Sequence, residues 1–275
     1  MDTIQFLSIN GTQIKYSEYG AGKIALIFVH AGIADSSMWD DQLAAFSDHF
    51  RVITYDMRGY GFSPLVPGAY SHHEDLVALM DALGVDRGVL VGCSKGGGVV
   101  FDTALAVPAR IAGLVVVAGQ AHGLELENEP DPPPQWDELV QAFKDGDLEK
   151  TNELEVQIWV DGYQQPAGRA DQKIREKVRT MNAVVLQHEA DAPETKVNVL
   201  EPKAADRLNE IAAPVLFISG TLDDPFIVQA IEKMLPEIPQ ARHITMQDVA
   251  HLPNMESPKE FNDHILNFVR DAIGA

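Results

Sequence analysis

The chain has 275 residues, 45% of them hydrophobic, which is enough to bury a large core as one domain or as a domain with an insertion. Its 41 acidic residues exceed its 21 Lys and Arg residues and give a net charge of −20. Such a surface repels nucleic acid and anionic membranes, and it fits a small ligand that is not strongly anionic. The simpler interpretation of this charge is that it keeps the protein in solution.

Cys93 is the only cysteine, which excludes a disulfide within the chain, and no group of Cys and His has the spacing of a zinc site. The N-terminal segment contains neither a basic stretch nor a long apolar one, so no secretory signal is visible. No stretch approaches the roughly 18 apolar residues that a membrane-spanning helix needs. We therefore expect a cytoplasmic protein without a metal or organic cofactor. The sequence leaves the oligomeric state open.

The first part of the chain alternates between strand and helix patterns. A hairpin turn at Asn10-Gly11 joins two predicted antiparallel strands. Continuous apolar runs, typical of strands buried on both faces, follow in alternation with helical periodicity. The predicted strands cover residues 4–9, 13–19, 24–29, 52–55, 89–91 and 112–118. One helix is predicted to begin near residue 37, and two more are predicted over 73–83 and 99–106. This alternation predicts a mostly parallel α/β sheet.

The pattern changes after residue 122. Residues 123–137 hold five acidic residues and four prolines, which do not fit the interior of a helix or strand. Only helical periodicity follows, at 136–143, 148–160 and 174–188, before strands and helices alternate again at 214–219, 225–235, 243–246 and 258–273. The sequence therefore predicts a core formed by residues 1–122 and 201–275, with an all-helical cap over 123–200.

Residues 92–96 read Gly-Cys-Ser-Lys-Gly and lie between an apolar strand and a predicted helix. In this context Gly-x-Ser-x-Gly is typical of a sharp turn that holds a nucleophilic serine, here Ser94, above the edge of the sheet. Side chains at positions 92 and 96 would collide in such a turn, which explains the glycines. A glycine-rich β–α turn or a phosphate-binding loop is the alternative, because the pentapeptide alone is common.

A serine hydroxyl needs a general base, and the base needs a group that orients it. Residues 220–225 contain Asp223 and Asp224, and residues 247–256 contain His251. Each of these loops follows a predicted strand, so both open at the edge of the sheet where Ser94 lies. The order along the chain is serine, acid, histidine.

With these motifs, the chain resembles an α/β-hydrolase with a helical cap over roughly residues 10–272. In that family the acid often follows its strand as Gly-x-x-Asp, which selects Asp223 over Asp224. The histidine loop often reads Gly-His-x-x-x-x-Glu-x-Pro, and residues 250–258 match it except that Ala250 replaces the first glycine. The resemblance implies an eight-stranded sheet flanked by helices, with Ser94, Asp223 and His251 as the catalytic residues.

The resemblance also implies the donors that stabilise a developing oxyanion. One is the backbone N–H of Lys95, which follows the serine. The other lies in residues 30–32, His-Ala-Gly, which resemble the family's His-Gly-x loop and assign the N–H of Gly32, with Ile33 as the alternative. Lys95 also departs from the family, since an uncharged residue is usual there. Its side chain either contributes charge beside the oxyanion hole or turns outward to pair with an acidic loop.

Further residues are expected to brace or line the site. Asp56 and Arg58, in a stretch that resembles the family's Asp-x-Arg-Gly-x-Gly-x-Ser, are interpreted as structural partners of neighbouring loops. We expect the substrate to be bound by Ile33, His122, Trp136 and Trp159. The pocket is predicted to be mostly apolar.

A serine at position 94 excludes, by the same resemblance, the dehalogenase and epoxide-hydrolase mechanisms, which use an aspartate there. The chain is most similar to small capped esterases, enol-lactonases and cofactor-free perhydrolases. We expect a hydrolase that cleaves carboxylic esters and lactones through an acyl-enzyme on Ser94, with His251 as base and Asp223 orienting it. C–C bond hydrolysis or perhydrolysis on the same residues is one alternative. A slow-turnover receptor for a small molecule, on the same scaffold, is the alternative from another class.

Overall fold

The computed structural model describes residues 4–191 and 194–273. Its strands are β1 Gln5–Ile9, β2 Thr12–Tyr19, β3 Ala25–Val29, β4 Arg51–Tyr55, β5 Gly68–Tyr70, β6 Gly88–Cys93, β7 Ile111–Val117, β8 Thr195–Val197, β9 Val215–Gly220 and β10 Ala241–Met246. Eight of them form one sheet in the order β1-β2-β4-β3-β6-β7-β9-β10. β2 pairs antiparallel with β1 and β4, and the remaining neighbours are parallel. The predicted sheet is thereby confirmed.

Helices cover the sheet and complete the alternation. They are α1 Asp40–Ser47, α2 His72–Ala82, α3 Lys95–Ala106, α4 Trp136–Lys144, α5 Leu148–Val156, α6 Gln172–Asp191, α7 Pro225–Met234, α8 Pro253–Glu256 and α9 Pro258–Ile273. Shorter 3₁₀ turns cover Ser36–Trp39, Pro108–Arg110, Ala204–Glu210 and Leu235–Glu237, and a π-helical turn, Gln157–Asp161, extends α5. No helix within the described ranges combines the length and apolar content needed to cross a membrane.

The core lies on both faces of the central strands. Every residue of β3, β6 and β7 is buried, as their continuous apolar runs predict. α3 packs on β6 and β7, α9 on β7, and α1 on β4. Phe28 contributes to this core through its ring, whose centroid lies 5.0 Å from that of Trp39 and 5.7 Å from that of Phe46. The rigid centre of the sheet therefore carries the loops that follow β3 and β6.

The segment between β7 and β9 departs from the prediction at one point. α4, α5 and α6 lie where helical periodicity predicts them. The expectation of an all-helical segment over 123–200 was wrong, because β8 pairs in parallel with β5, between Gly68 and Thr195, Ala69 and Lys196, and Tyr70 and Val197. This strand has only three residues and is largely exposed, so its hydrophobic alternation is too short to be detected in the sequence.

A buried charge cluster holds the end of α5 to the start of α6. Asp161 is fully buried and accepts hydrogen bonds from Gly168 N at 2.9 Å and Ala170 N at 3.1 Å. It also forms an ion pair with Arg175 of α6, which is itself buried and contacts Glu153 of α5 at 2.7 Å. A buried ion pair contributes little by itself, but the loss of one partner leaves the other charge without compensation.

We therefore expect Asp161→Ala to lower the free energy of unfolding by about 3 kcal/mol or more, because Arg175 would remain buried beside one half-buried carboxylate. Urea unfolding followed by circular dichroism measures this loss. Asp263→Ala is the matched control, since Asp263 pairs with Lys259 on an exposed face of α9 and its removal should leave the midpoint unchanged. Equal midpoints for the two variants would contradict this role of the cluster.

Candidate active site

Four loops that contain predicted site residues meet at one edge of the sheet. Gly32 follows β3, Ser94 follows β6, Asp223 follows β9 and His251 follows β10. These strands are parallel to one another, so their carboxyl ends face the same side. In open α/β sheets this edge is where ligands bind. The topology of the sheet thus brings together residues that are far apart along the chain.

Ser94 lies in a strained turn between β6 and α3. Its φ of 53° and ψ of −115° are unusual for a residue with a side chain. The turn is fixed by hydrogen bonds from Ser94 N to Val117 O and from Gly97 N to Ser94 O, each 2.8 Å. A Cβ at Gly92 would lie 2.2 Å from Gly96 O, and a Cβ at Gly96 would lie 2.4 Å from Val29 O. The steric reason predicted for both glycines is confirmed.

His251 and Asp223 are joined by a buried hydrogen bond. His251 Nδ1 lies 2.8 Å from Asp223 Oδ1, and the two side chains are 4% and 1% exposed. Asp224 points elsewhere, since its carboxylate caps α7 by accepting from Phe226 N at 2.9 Å. Burial raises the pKa of Asp224. Of the two neighbouring acids, the structure therefore brings Asp223 to the histidine, as the family resemblance implied.

Contacts with the loop before α6 hold the His251 loop in place. Glu256 accepts from Ala250 N at 2.7 Å and from Arg169 Nη2 at 2.5 Å. His251 N donates to Trp159 O at 3.3 Å, and the Trp159 ring packs against the imidazole with centroids 4.7 Å apart. Burial raises the pKa of Glu256, while the bond from Ala250 and the charge of Arg169 oppose that rise. Trp159 thus contacts the histidine directly.

Ser94 and His251 line one cavity of about 270 Å³, which we call the serine pocket. Gly32, Ile33, Lys95 and Trp159 line it as well. No hydrogen bond joins the Ser94 hydroxyl to the imidazole within the described ranges. The pocket therefore gathers the predicted serine, histidine and loop residues around one space, with Asp223 behind the histidine.

Two acidic residues of this pocket were missed in the sequence. Glu155 and Glu189 line the serine pocket from α5 and α6. Glu155 accepts from Asn182 Nδ2 at 2.6 Å, and burial raises its pKa. Glu155 and Trp159 are four residues apart, which is the spacing of neighbours on one helix face. Because Trp159 was predicted to bind substrate, this spacing could have predicted that Glu155 lines the same pocket.

The other predicted binding residues lie in adjoining spaces. His122 lines a cavity of about 240 Å³ together with Ser94, Lys95 and Ile227. Trp136 does not line the serine pocket but a separate cavity of about 450 Å³, bordered by Pro130, Pro132 and Pro133 and shared with Trp159. Ile33 and Trp159 thus lie beside Ser94 directly, and Trp136 lies one cavity away.

The loop after β3 is held by hydrogen bonds of His30 and Asp56. His30 is fully buried, its Nε2 accepts from Met57 N at 2.9 Å, and its Nδ1 lies 2.8 Å from Ala31 O. Burial lowers the pKa of His30. Asp56 accepts from Ser36 N and Phe62 N, each 2.9 Å, as its predicted bracing role requires. Among the described residues, no group of three or more His, Cys, Asp or Glu is arranged to hold a metal ion.

The Lys95 side chain contacts the hydroxyl of Tyr60 and, within residues 4–191 and 194–273, does not pair with an acidic loop. Its Nζ lies 2.5 Å from the hydroxyl of Tyr60, and no carboxylate of the described residues lies within 4.0 Å of it. The outward pairing with an acidic loop is therefore absent from the described part of the chain. Desolvation acts to lower the pKa of Lys95, but Tyr60 and the charge of Glu189 outweigh it and raise that pKa.

Comparisons with known proteins agree with this fold. Residues 24–258 match the alpha/beta hydrolase fold family, so the chain belongs to that family. The 3-oxoadipate enol-lactonase 2 of Acinetobacter baylyi is 26% identical over 261 residues, which are 93% of this chain and 92% of that protein. A hydrolase from Pseudomonas aeruginosa is 30% identical, with a TM-score of 0.77 and coverage of 97% and 98%. A thermophilic esterase from Thermogutta terrifontis is 25% identical, with a TM-score of 0.75 and coverage of 99% of both chains.

The strained turn yields a prediction on stability. We expect Gly96→Ala to lower the free energy of unfolding by about 3 kcal/mol or more, because the new methyl group would meet the backbone oxygens of Val29 and His30 at 2.4 and 2.7 Å. Gly97→Ala is the matched control one residue on, where the nearest atoms lie 3.1 Å or farther and the helix propensity of alanine offsets the crowding. Chemical denaturation of both variants measures the difference, and equal stabilities would contradict the proposed steric requirement.

Proposed function

We propose that this chain is a serine hydrolase that cleaves carboxylic esters and lactones through an acyl-enzyme on Ser94. The observation that carries the proposal is the buried His251–Asp223 hydrogen bond at 2.8 Å, with the imidazole on the wall of the pocket that Ser94 also lines. A serine, an imidazole and a carboxylate in this relation form the known apparatus of acyl transfer. The relatives that are esterases and an enol-lactonase support this substrate class.

In the first half of the proposed reaction, Ser94 Oγ attacks the carbonyl carbon while His251 Nε2 accepts the hydroxyl proton. The carbonyl electron pair moves to the oxygen and forms a tetrahedral oxyanion. When that intermediate collapses, the bond to the alcohol oxygen breaks, and His251 returns the proton to the leaving oxygen. An ester releases its alcohol, whereas a lactone keeps it attached to the acyl chain.

In the second half, water replaces the alcohol. His251 accepts a proton from the water as its oxygen attacks the acyl carbon, and Ser94 Oγ leaves with the proton that His251 donates back. The carboxylic acid is released and the enzyme returns to its starting state. Asp223 accepts from the Nδ1–H of His251 throughout, which leaves Nε2 free to accept protons and stabilises the imidazolium between steps.

The oxyanion is proposed to bind the backbone N–H groups of Lys95 and Gly32. Lys95 begins α3, so its N–H has no acceptor in a preceding helical turn and lies at the positive end of the helix dipole. Gly32 lies on the serine pocket opposite it, and a Cβ at Gly32 would come no closer than 3.6 Å to the Lys95 side chain. Space alone therefore does not demand glycine at position 32.

The substrate is proposed to lie between the core and a cap formed by residues 123–200. Trp159 contacts the base and borders both the serine pocket and the apolar cavity near Trp136. The leaving oxygen must approach His251 to receive its proton, so the alcohol part lies on the Trp159 side. The acyl part then extends towards Ile33, Lys95 and His122.

The proposal predicts that Ser94→Ala lowers kcat for p-nitrophenyl butyrate by about 10⁴-fold or more, because the acyl-enzyme cannot form. Asp223→Asn should lower kcat by a similar factor through the wrong tautomer of His251. Ser8→Ala, at an exposed position on β1, is the control and should retain activity. Stopped-flow release of p-nitrophenol measures all three. Hydrolysis that persists in Ser94→Ala would overturn the proposal, as would a wild-type chain that cleaves only dienone C–C bonds or binds ligands without turnover.

A further inference from the structure

An ammonium without a carboxylate partner lies next to Ser94. Lys95 is exposed, and its one hydrogen-bond partner within the described ranges is the hydroxyl of Tyr60. Its side chain lines the serine pocket, the cavity that contains His122, and a third cavity of about 150 Å³. An ammonium carries three donors, so two remain available towards these spaces. Among the described residues that line these three cavities, Lys95 is the only Lys or Arg. Its ammonium is therefore positioned to meet a ligand.

The third cavity, which we call the histidine cavity, is lined by Lys95, His72, His73, His122 and Asp102 among others. His72 is only 6% exposed, and neither of its ring nitrogens has a hydrogen-bond partner. Both nitrogens are inaccessible as well as unpartnered, so the donor that this cavity offers to an occupant is the Lys95 ammonium and not His72. The imidazole of His122 fits into the wall of this cavity because residue 98 is glycine. A Cβ at Gly98 would lie 2.6 Å from His122 Nε2.

The charges around Lys95 are distributed unevenly. On the histidine side the one carboxylate is that of Asp102, whose Oδ2 already accepts from His122 Nδ1 at 2.8 Å and Leu200 N at 3.1 Å. On the opposite side, Glu155 and Glu189 line the serine pocket. An anion is therefore repelled by these two glutamates, and the donor that it meets in the histidine cavity is the ammonium of Lys95. Asp102 limits this preference, because its Oδ1 is buried without a hydrogen-bond partner.

We propose that Lys95 binds a carboxylate at the far end of the acyl chain, so that the preferred substrates are esters and lactones of dicarboxylic acids. This proposal rests on the proposed hydrolysis at Ser94, because the acyl part is the one that extends towards Lys95 and His122. The acidic surface of the protein does not oppose it, since repulsion between exposed charges is screened beyond about 10 Å in salt, whereas Lys95 acts in direct contact. A local cation thus reverses, at the site, the expectation drawn from net charge.

The test compares two esters of similar length. One is the mono-p-nitrophenyl ester of glutaric acid, which is anionic, and the other is p-nitrophenyl valerate, which is neutral. Wild type should favour the glutarate ester in kcat/KM. In Lys95→Met, which keeps the backbone N–H, the ratio of the two kcat/KM values should fall by about tenfold to a hundredfold, mainly through KM, because a charge-assisted contact is lost. The ratio isolates the charge from any general effect on rate.

Two further variants separate a local contact from net charge. Lys259→Met makes the same change of charge at a distant exposed position on α9 and should leave the ratio unchanged. Glu189→Gln removes a negative charge from the serine pocket and should raise the ratio a few-fold. If Lys95→Met and Lys259→Met lower the ratio equally, or if Lys95→Met leaves it unchanged, the proposal is overturned.

A binding measurement keeps this proposal separate from the proposed hydrolysis. Isothermal titration of glutarate into the full chain should give binding that Lys95→Met weakens at least tenfold and Lys259→Met does not. If neither ester is hydrolysed, the hydrolase proposal fails, and this titration alone decides whether Lys95 binds carboxylates. If both esters are hydrolysed, the kcat/KM ratio decides. Hydrolysis without selection for the anionic ester overturns only the carboxylate site.

Discussion

The close backbone approach around Ser94 is the constraint on which the rest of the site depends. The chain leaves β6, turns within a few residues and enters α3 so tightly that Gly92, Gly96 and the end of β3 share space in which no side chain fits. This contact fixes the serine relative to the loop after β3, because the oxygens of Val29 and His30 are the atoms that Gly96 meets. The turn is strained, and the fully buried strands on either side supply the packing that maintains it. Ser94, the proposed nucleophile, and the loop after β3, which contains the proposed oxyanion donor Gly32, are therefore positioned by one steric arrangement.

Much of the fold could be predicted from the sequence, because its central strands are long apolar runs and the segments between them have helical periodicity. Strong, repeated signals of this kind identify elements well, although their ends shift by a residue or two. The strand Thr195–Val197 could not be predicted, since its pairing with Gly68–Tyr70 is a tertiary contact between two short, largely exposed segments. In such segments local pattern carries little information.

The site was predictable to the extent that it follows from sequence order. Ser94, Asp223 and His251 each lie in a loop that follows a strand, and parallel strands bring such loops together. The direction of the Lys95 side chain could not be predicted, because it depends on Tyr60, 35 residues earlier in the chain. Glu189 was missed for the same reason, since it reaches the pocket only through the packing of α6 on the core. The motifs assign backbone positions, whereas the charged side chains around them lie outside the motifs and are placed by tertiary packing.

The link between Arg169 and Glu256 has a consequence for how the pocket exchanges its contents with solvent. Arg169 donates to Val160 O and Asp161 O on one side and to Glu256 on the other, and Glu256 in turn holds Ala250, next to His251. A hinge motion that moved Arg169 away from the core would break its contact with Glu256. The same motion would loosen the loop that contains His251, because Glu256 also binds Ala250 N. Access by such a motion would thus be incompatible with the proton transfer proposed for His251. The proline-lined cavity near Trp136 borders Trp159 without involving Arg169 or Glu256, so a ligand that entered there would leave these contacts intact.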